Sequence, residues 1–214
     1  MKKLLFLIIL LILAIAMPFF VVIRGTVFVY QHYALNPWLA LLAGSSLTLL
    51  VLFCYGILIL KFVFKDKSTS RTEAKAILLV SLFLVVAYTG YSLLVVSDGI
   101  AKNDTVASDL RNIHPIIVLA VNTLSYLDSD LVITDIRRTQ ANYQQMGLRV
   151  NYESLHFVQA SGYVHAVDIR TVNRGEIRNR LVQVYFWLIG FDTLRHVGTA
   201  DHLHVSLQPR IADK

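Results

Sequence analysis

Three apolar runs, Leu4 to Ile23, Trp38 to Leu60 and Ala76 to Ser97, carry no charged side chain and fill most of the first hundred residues. Each reaches the about 20 residues that an α-helix needs to cross about 30 Å of hydrocarbon. A soluble core helix of that length would turn a polar face to water, and none of these has one. The chain is 56% hydrophobic and only 16% charged, too apolar for an ordinary soluble protein. The runs therefore predict a membrane anchor over residues 1–100, with three transmembrane helices at about 4–23, 38–60 and 76–97, and a lipid bilayer as its first partner.

The connectors orient these spans. Lys2 and Lys3 precede the first, and Lys61, Lys65, Lys67, Arg71 and Lys75 follow the second, whereas the loop between the first two holds only Arg24. Positive charge stays on the cytoplasmic side. The pattern predicts a multi-pass protein of the bacterial cytoplasmic membrane, with everything after Ser97 on the extracytoplasmic side. Lys-Lys, an apolar run and Ala14-Ile15-Ala16 also imitate a signal peptide, but the apolar run continues through Val22. Cleavage there would leave the outer placement unchanged. No ionisable residue sits mid-span, so anchoring is favoured over a pore, or over spans that carry the function while the outer domain regulates it.

From Ala101 the composition becomes globular, and residues 101–214 predict a small extracytoplasmic α+β domain. His114-Pro115 opens an apolar helix through Leu127. Strands are expected at Leu131–Ile136, His165–Arg170, Thr193–Val197 and His202–Leu207. A helix is expected over Asn173–Gly190, capped by those two residues, with Ile177, Leu181, Val184, Tyr185 and Leu188 on one apolar face. The net charge of +6 comes from connectors and scattered arginines with no basic stripe, which argues against nucleic acid. The single cysteine, Cys54, excludes an intrachain disulfide and a cysteine zinc site.

The chemistry-bearing stretch is Asp201-His202-Leu203-His204-Val205. On a strand His202 and His204 point the same way. Neutral imidazole is the commonest protein metal ligand, and a nearby carboxylate can deprotonate a water. Paired arginines, Arg137 and Arg138, follow the first expected strand and suit a carboxylate, although a solvated pair would look the same.

Ser154-Leu155-His156, Ala166-Val167-Asp168-Ile169-Arg170 and Asp201-His202-Leu203-His204-Val205, in that order, resemble the three-part signature of the D-alanyl-D-alanine carboxypeptidase-type zinc peptidases, which share the Hedgehog/DD-peptidase fold. The resemblance covers roughly Leu131 to Pro209. It implies His156, Asp168 and His204 as ligands of Zn2+, and Asp201 or His202 as the base. It also implies Arg137 or Arg138 as the substrate-binding arginine and a peptidoglycan peptide as substrate. Two departures stand out. Asp168 follows His156 by twelve positions, where the family has seven, which implies a five-residue insertion at 157–163. Val164 replaces the family's glycine. Counting back seven would select Ser161, a poor ligand, and His165 is the competing histidine. The expected function is a membrane-anchored zinc peptidase, carboxypeptidase or endopeptidase. The alternative is a non-catalytic domain of the same fold that binds wall peptide or a partner, with Asp168 and His204 merely hydrogen-bonded.

Overall fold

The computed structural model describes residues 2–33, 35–63, 69–95, 98–147, 149–198 and 201–208. Lys65, Lys67, Ser97, Thr199, Ala200 and Pro209, used in the sequence reading, lie outside these. The first three helices are α1 (Lys2–Tyr33), α2 (Pro37–Val63) and α3 (Arg71–Leu94), each long and apolar enough to cross a membrane. Small residues bring them together. A β-carbon on Gly44 of α2 would lie 2.7 Å from the Val22 carbonyl of α1, and one on Gly56 would meet Ile77 of α3.

α3 starts five residues before its apolar run. Ser70 explains this, because its hydroxyl accepts from the Glu73 amide while the Glu73 carboxylate accepts from the Ser70 amide, a reciprocal cap. α1, in turn, outlasts its apolar run by ten residues. Its exposed apolar surface gives way at Val22 to a stripe of Ile23, Val27 and Tyr30, which is buried at helical spacing. Thr26 turns its hydroxyl back to the Val22 carbonyl, so the polar residue costs the helix no unsatisfied group.

What buries that stripe is the second half of the chain. After the short helix α4 (Asp104–Asp109), capped by Asn103, comes α5 (Pro115–Ser125), with His114 as N-cap and Pro115 in the first turn. Every residue from Pro115 to Leu124 is buried. α5 is buried all round, Asn122 and Thr123 included, because α1, α2 and α3 pack against it, while Tyr185 of a later helix donates to its Ala120 carbonyl. Asn122 donates to the Ser92 and Val95 carbonyls at the end of α3, satisfying groups a helix end leaves open. One hydrophobic core thus contains Val22, Ile23 and Tyr30 together with Ile116, Val167 and Leu203.

The sheet has four antiparallel strands, β1 (Ile133–Asp135), β2 (Ala166–Arg170), β3 (Asp192–His196) and β4 (His202–Ser206), in the order β1-β2-β4-β3. α6 (Gln140–Gln145) follows β1, begun by a Thr139 capping box and ended near Gly147, whose φ is 67°. α7 (Glu176–Leu188) lies between β2 and β3.

α7 departs from expectation twice. Asn173 has φ 63° and belongs to a left-handed turn, so the helix begins only at Glu176, with Gly175 as N-cap. More consequentially, Ile177, Leu181, Val184 and Leu188 face outward. The core receives Val182, Phe186 and Ile189, a second stripe at the same spacing on the opposite side. Gly190 ends α7 as expected, at φ 97°.

Candidate metal centre

Strand register builds most of the site. On β2 and β4, Asp168 lies directly opposite His204 and Arg170 opposite His202, so these side chains share one face of the sheet. The other face carries Ile169, Leu203 and Val205 into the core. On β3, His196 is opposite His202, and their rings stack with centroids 4.6 Å apart.

His156 comes from a loop, which local hydrogen bonds hold in place. Its amide donates to the Ser154 hydroxyl, and its carbonyl accepts from the Arg138 amide at 3.0 Å. The segment 157–163 does not carry it away from the sheet. The His165 amide donates to the Leu155 carbonyl at 2.9 Å and the Gln159 amide to the Tyr163 carbonyl at 2.9 Å, closing this loop off at its base. His165 is itself buried elsewhere, between Ser161 and the Leu207 carbonyl, with its ring near those of His114 and Tyr30.

Among the described residues, His156, Asp168 and His204 form a group that could hold a metal ion. His156 Nδ1 lies 2.6 Å from the Ile136 carbonyl, which can only accept. That nitrogen therefore carries a proton, and Nε2 is the ring atom aimed into the group. Nε2 is 3.2 Å from His204 Nδ1 and 3.3 Å from Asp168 Oδ1, and these last two are 2.9 Å apart. A tetrahedral ion with bonds of about 2.0–2.1 Å would separate its ligands by about 3.3 Å. The donor set and spacing fit such an ion closely. A carbonyl behind the ligand histidine is also the usual device for fixing its tautomer.

Asp168 Oδ2 is held separately, by Arg138 Nη2 at 2.6 Å, with His202 Nε2 at 3.6 Å. Arg138 Nε is bonded to Asp135 at 2.5 Å. Burial alone would raise the Asp168 carboxyl. Hydrogen bonds from the His156 and His204 rings, and charge on His156 and His202, outweigh it and hold the group well below the usual carboxylate range. The carboxylate is thus kept ionised in a nearly dry place.

The other expected site residues divide. Arg138 and His202 join the group. Arg137 turns away to pair with Asp109 at 3.1 Å. Asp201 is not brought to the group either. Its oxygens take Arg195 Nε at 2.7 Å and Nη2 at 2.9 Å, and Thr171 donates to it. The Arg195 guanidinium, then the Thr171 hydroxyl, hold its pKa at about 2. Sequence reasoning missed Asp135, though Asp135 and Arg138 are three apart, and His196, whose only signal is the register of β3.

Comparison with protein-family models, with curated proteins and with solved structures finds no match to this chain.

Proposed function

We propose that the second half of the chain is a zinc-dependent peptidase acting on peptidoglycan stem peptides outside the cytoplasm, tethered by α1 to α3. The observation that carries this reading is the convergence of His156 Nε2, Asp168 Oδ1 and His204 Nδ1, all within 4.8 Å of one another on a half-open sheet face. The charge pattern around the helices supports the outer placement, and the ordered resemblance of the three motifs supports the substrate class.

A divalent ion bound there supplies Lewis acidity at the scissile carbonyl and makes water easier to deprotonate. The chain's own residues do the rest. Ile136 fixes the His156 tautomer. Arg138 holds Asp168 Oδ2, so that Oδ1 faces the two histidines, and its cationic edge recognises a substrate carboxylate. His202, on the same face and partly exposed, accepts the proton of the attacking water and returns it to the leaving amine. Asp201, engaged by Arg195, steadies the start of β4.

Metal analysis of the purified full chain tests this. One zinc per chain is expected, with loss of zinc in His204→Ala and release of D-alanine or a cut crosslink from purified muropeptides. A chain that takes up no stoichiometric zinc would sink the proposal. One observation favours a second reading, a non-catalytic domain: Asp168, His156 and His204 already satisfy one another by hydrogen bonds. That reading predicts peptide binding without any bond cleaved.

A further inference from the structure

The outer face of α7 has no part in the proposed chemistry. Ile177 is 80% exposed, Leu181 64% and Trp187 67%, with Val184 and Leu188 beside them. Single exposed apolar residues are ordinary, but five on one helix with a separate buried stripe behind them mark a contact surface.

The position of α7 says which contact. Just past its end, a β-carbon on Gly190 would lie 2.7 Å from a guanidinium nitrogen of Arg24 and 3.0 Å from Val27 of α1. Along α1, the uncharged run Leu4 to Ile23 spans about 30 Å at about 1.5 Å per residue, the hydrocarbon thickness of a bilayer. Arg24 therefore marks the level where hydrocarbon ends, and α7 arrives at that level. An apolar groove of about 590 Å³ joins the two helices, lined by Phe19 and Phe20 of α1 and Tyr185 and Leu188 of α7, with Tyr126 and Leu127 beside it. The groove thus carries the apolar surface of α1 on to the last turn of α7, where Leu188 ends the exposed stripe.

We infer that α7 lies along the membrane surface, its Ile177–Leu188 stripe set among the headgroups and upper acyl chains of the leaflet that Arg24 reaches. Amphipathic helices bind interfaces in this way, and tryptophan is enriched at that depth. The inference rests on α1 to α3 spanning a bilayer, and not on the peptidase reading or on which side of the membrane the domain occupies.

The chain has two tryptophans, Trp38 and Trp187. Full-length Trp38→Phe protein, reconstituted into phosphatidylcholine vesicles brominated at shallow or deep acyl positions, reports on Trp187 alone. Ile177→Trp in a Trp38→Phe, Trp187→Phe background reports on the other end of the helix. The expected result is loss of emission at both positions, stronger with shallow bromine. Three results would overturn it. Quenching by aqueous iodide but not by bromine puts the face in water. Shielding from both puts it against a second copy. Bromine quenching at 187 alone means that α7 stands off the membrane. A chain stripped from vesicles by alkaline carbonate overturns the spanning helices and this inference together, whereas a retained chain with an unquenched helix overturns only the inference.

Discussion

His156 and Asp201 show how a residue's neighbours decide its chemistry. His156 is buried, yet its Nδ1 is bonded to Ile136, and its other nitrogen meets Asp168 and His204 at metal-ligand spacing. Asp201 has the stronger sequence signal for a base, one residue before His202, but Arg195 and Thr171 occupy it. Arg195 lies six residues before Asp201 but reaches it only because the β3–β4 hairpin folds back, and Thr171, thirty residues away, comes from just past the end of β2. The Asp201 pKa lies at about 2, against an ordinary 3.8. Depressed pKa means that the pairing stabilises the fold in full above about pH 4 and is lost as pH falls through about 2. Acid unfolding followed by circular dichroism should therefore weaken its pH dependence in that window in Asp201→Asn. The same variant is expected to keep peptide cleavage, while His202→Gln loses it; the reverse result would restore Asp201 as the base.

At the scale of elements, strand spacing was legible and helix faces were not. Alternation on β4 correctly put His202 and His204 on one side, because a strand has only two faces. α7 has two apolar stripes, and periodicity detected the one that points outward. Val182, Phe186 and Ile189 are equally periodic but share their side with Asn179, which is buried and donates to the Thr171 carbonyl. A polar residue there makes that face look like the wet one. The distinction has a measurable consequence. Phe186→Ala should destabilise the protein by about 3–5 kcal/mol, as for other buried aromatics. Leu181→Ala should stay within about 0.5 kcal/mol, as for surface substitutions. Denaturant unfolding of the full chain in detergent checks both, and equal losses would mean the faces are misassigned.

For the whole molecule, the spans were the easiest feature to find and their role the hardest. Hydropathy located all three, but stopped α1 at Arg24. Val27 lies against Gly190 at the end of α7, and Tyr30 against His114 and His165, all far along the chain, so only the assembled core reveals their burial. The fragment 101–214 would leave α5 without α1, α2 and α3, exposing a predominantly apolar helix and unpairing Asn122. It should self-associate on size exclusion and bind a hydrophobic dye, where the full chain in detergent does neither. A monomeric, dye-silent fragment would show that α5 finds its cover within the domain.

The run of α1 from Lys2 to Tyr33 without a break has a bearing on reach. A domain on a floppy stalk sweeps a range of heights and samples whatever lies within its tether. Here α1, long and apolar enough to cross a bilayer, is itself built into the domain's core, so across a bilayer it would keep the sheet face with His204 at one altitude. Such a device works as a depth gauge: material must be delivered to its plane, and anything anchored farther away goes untouched however abundant it is.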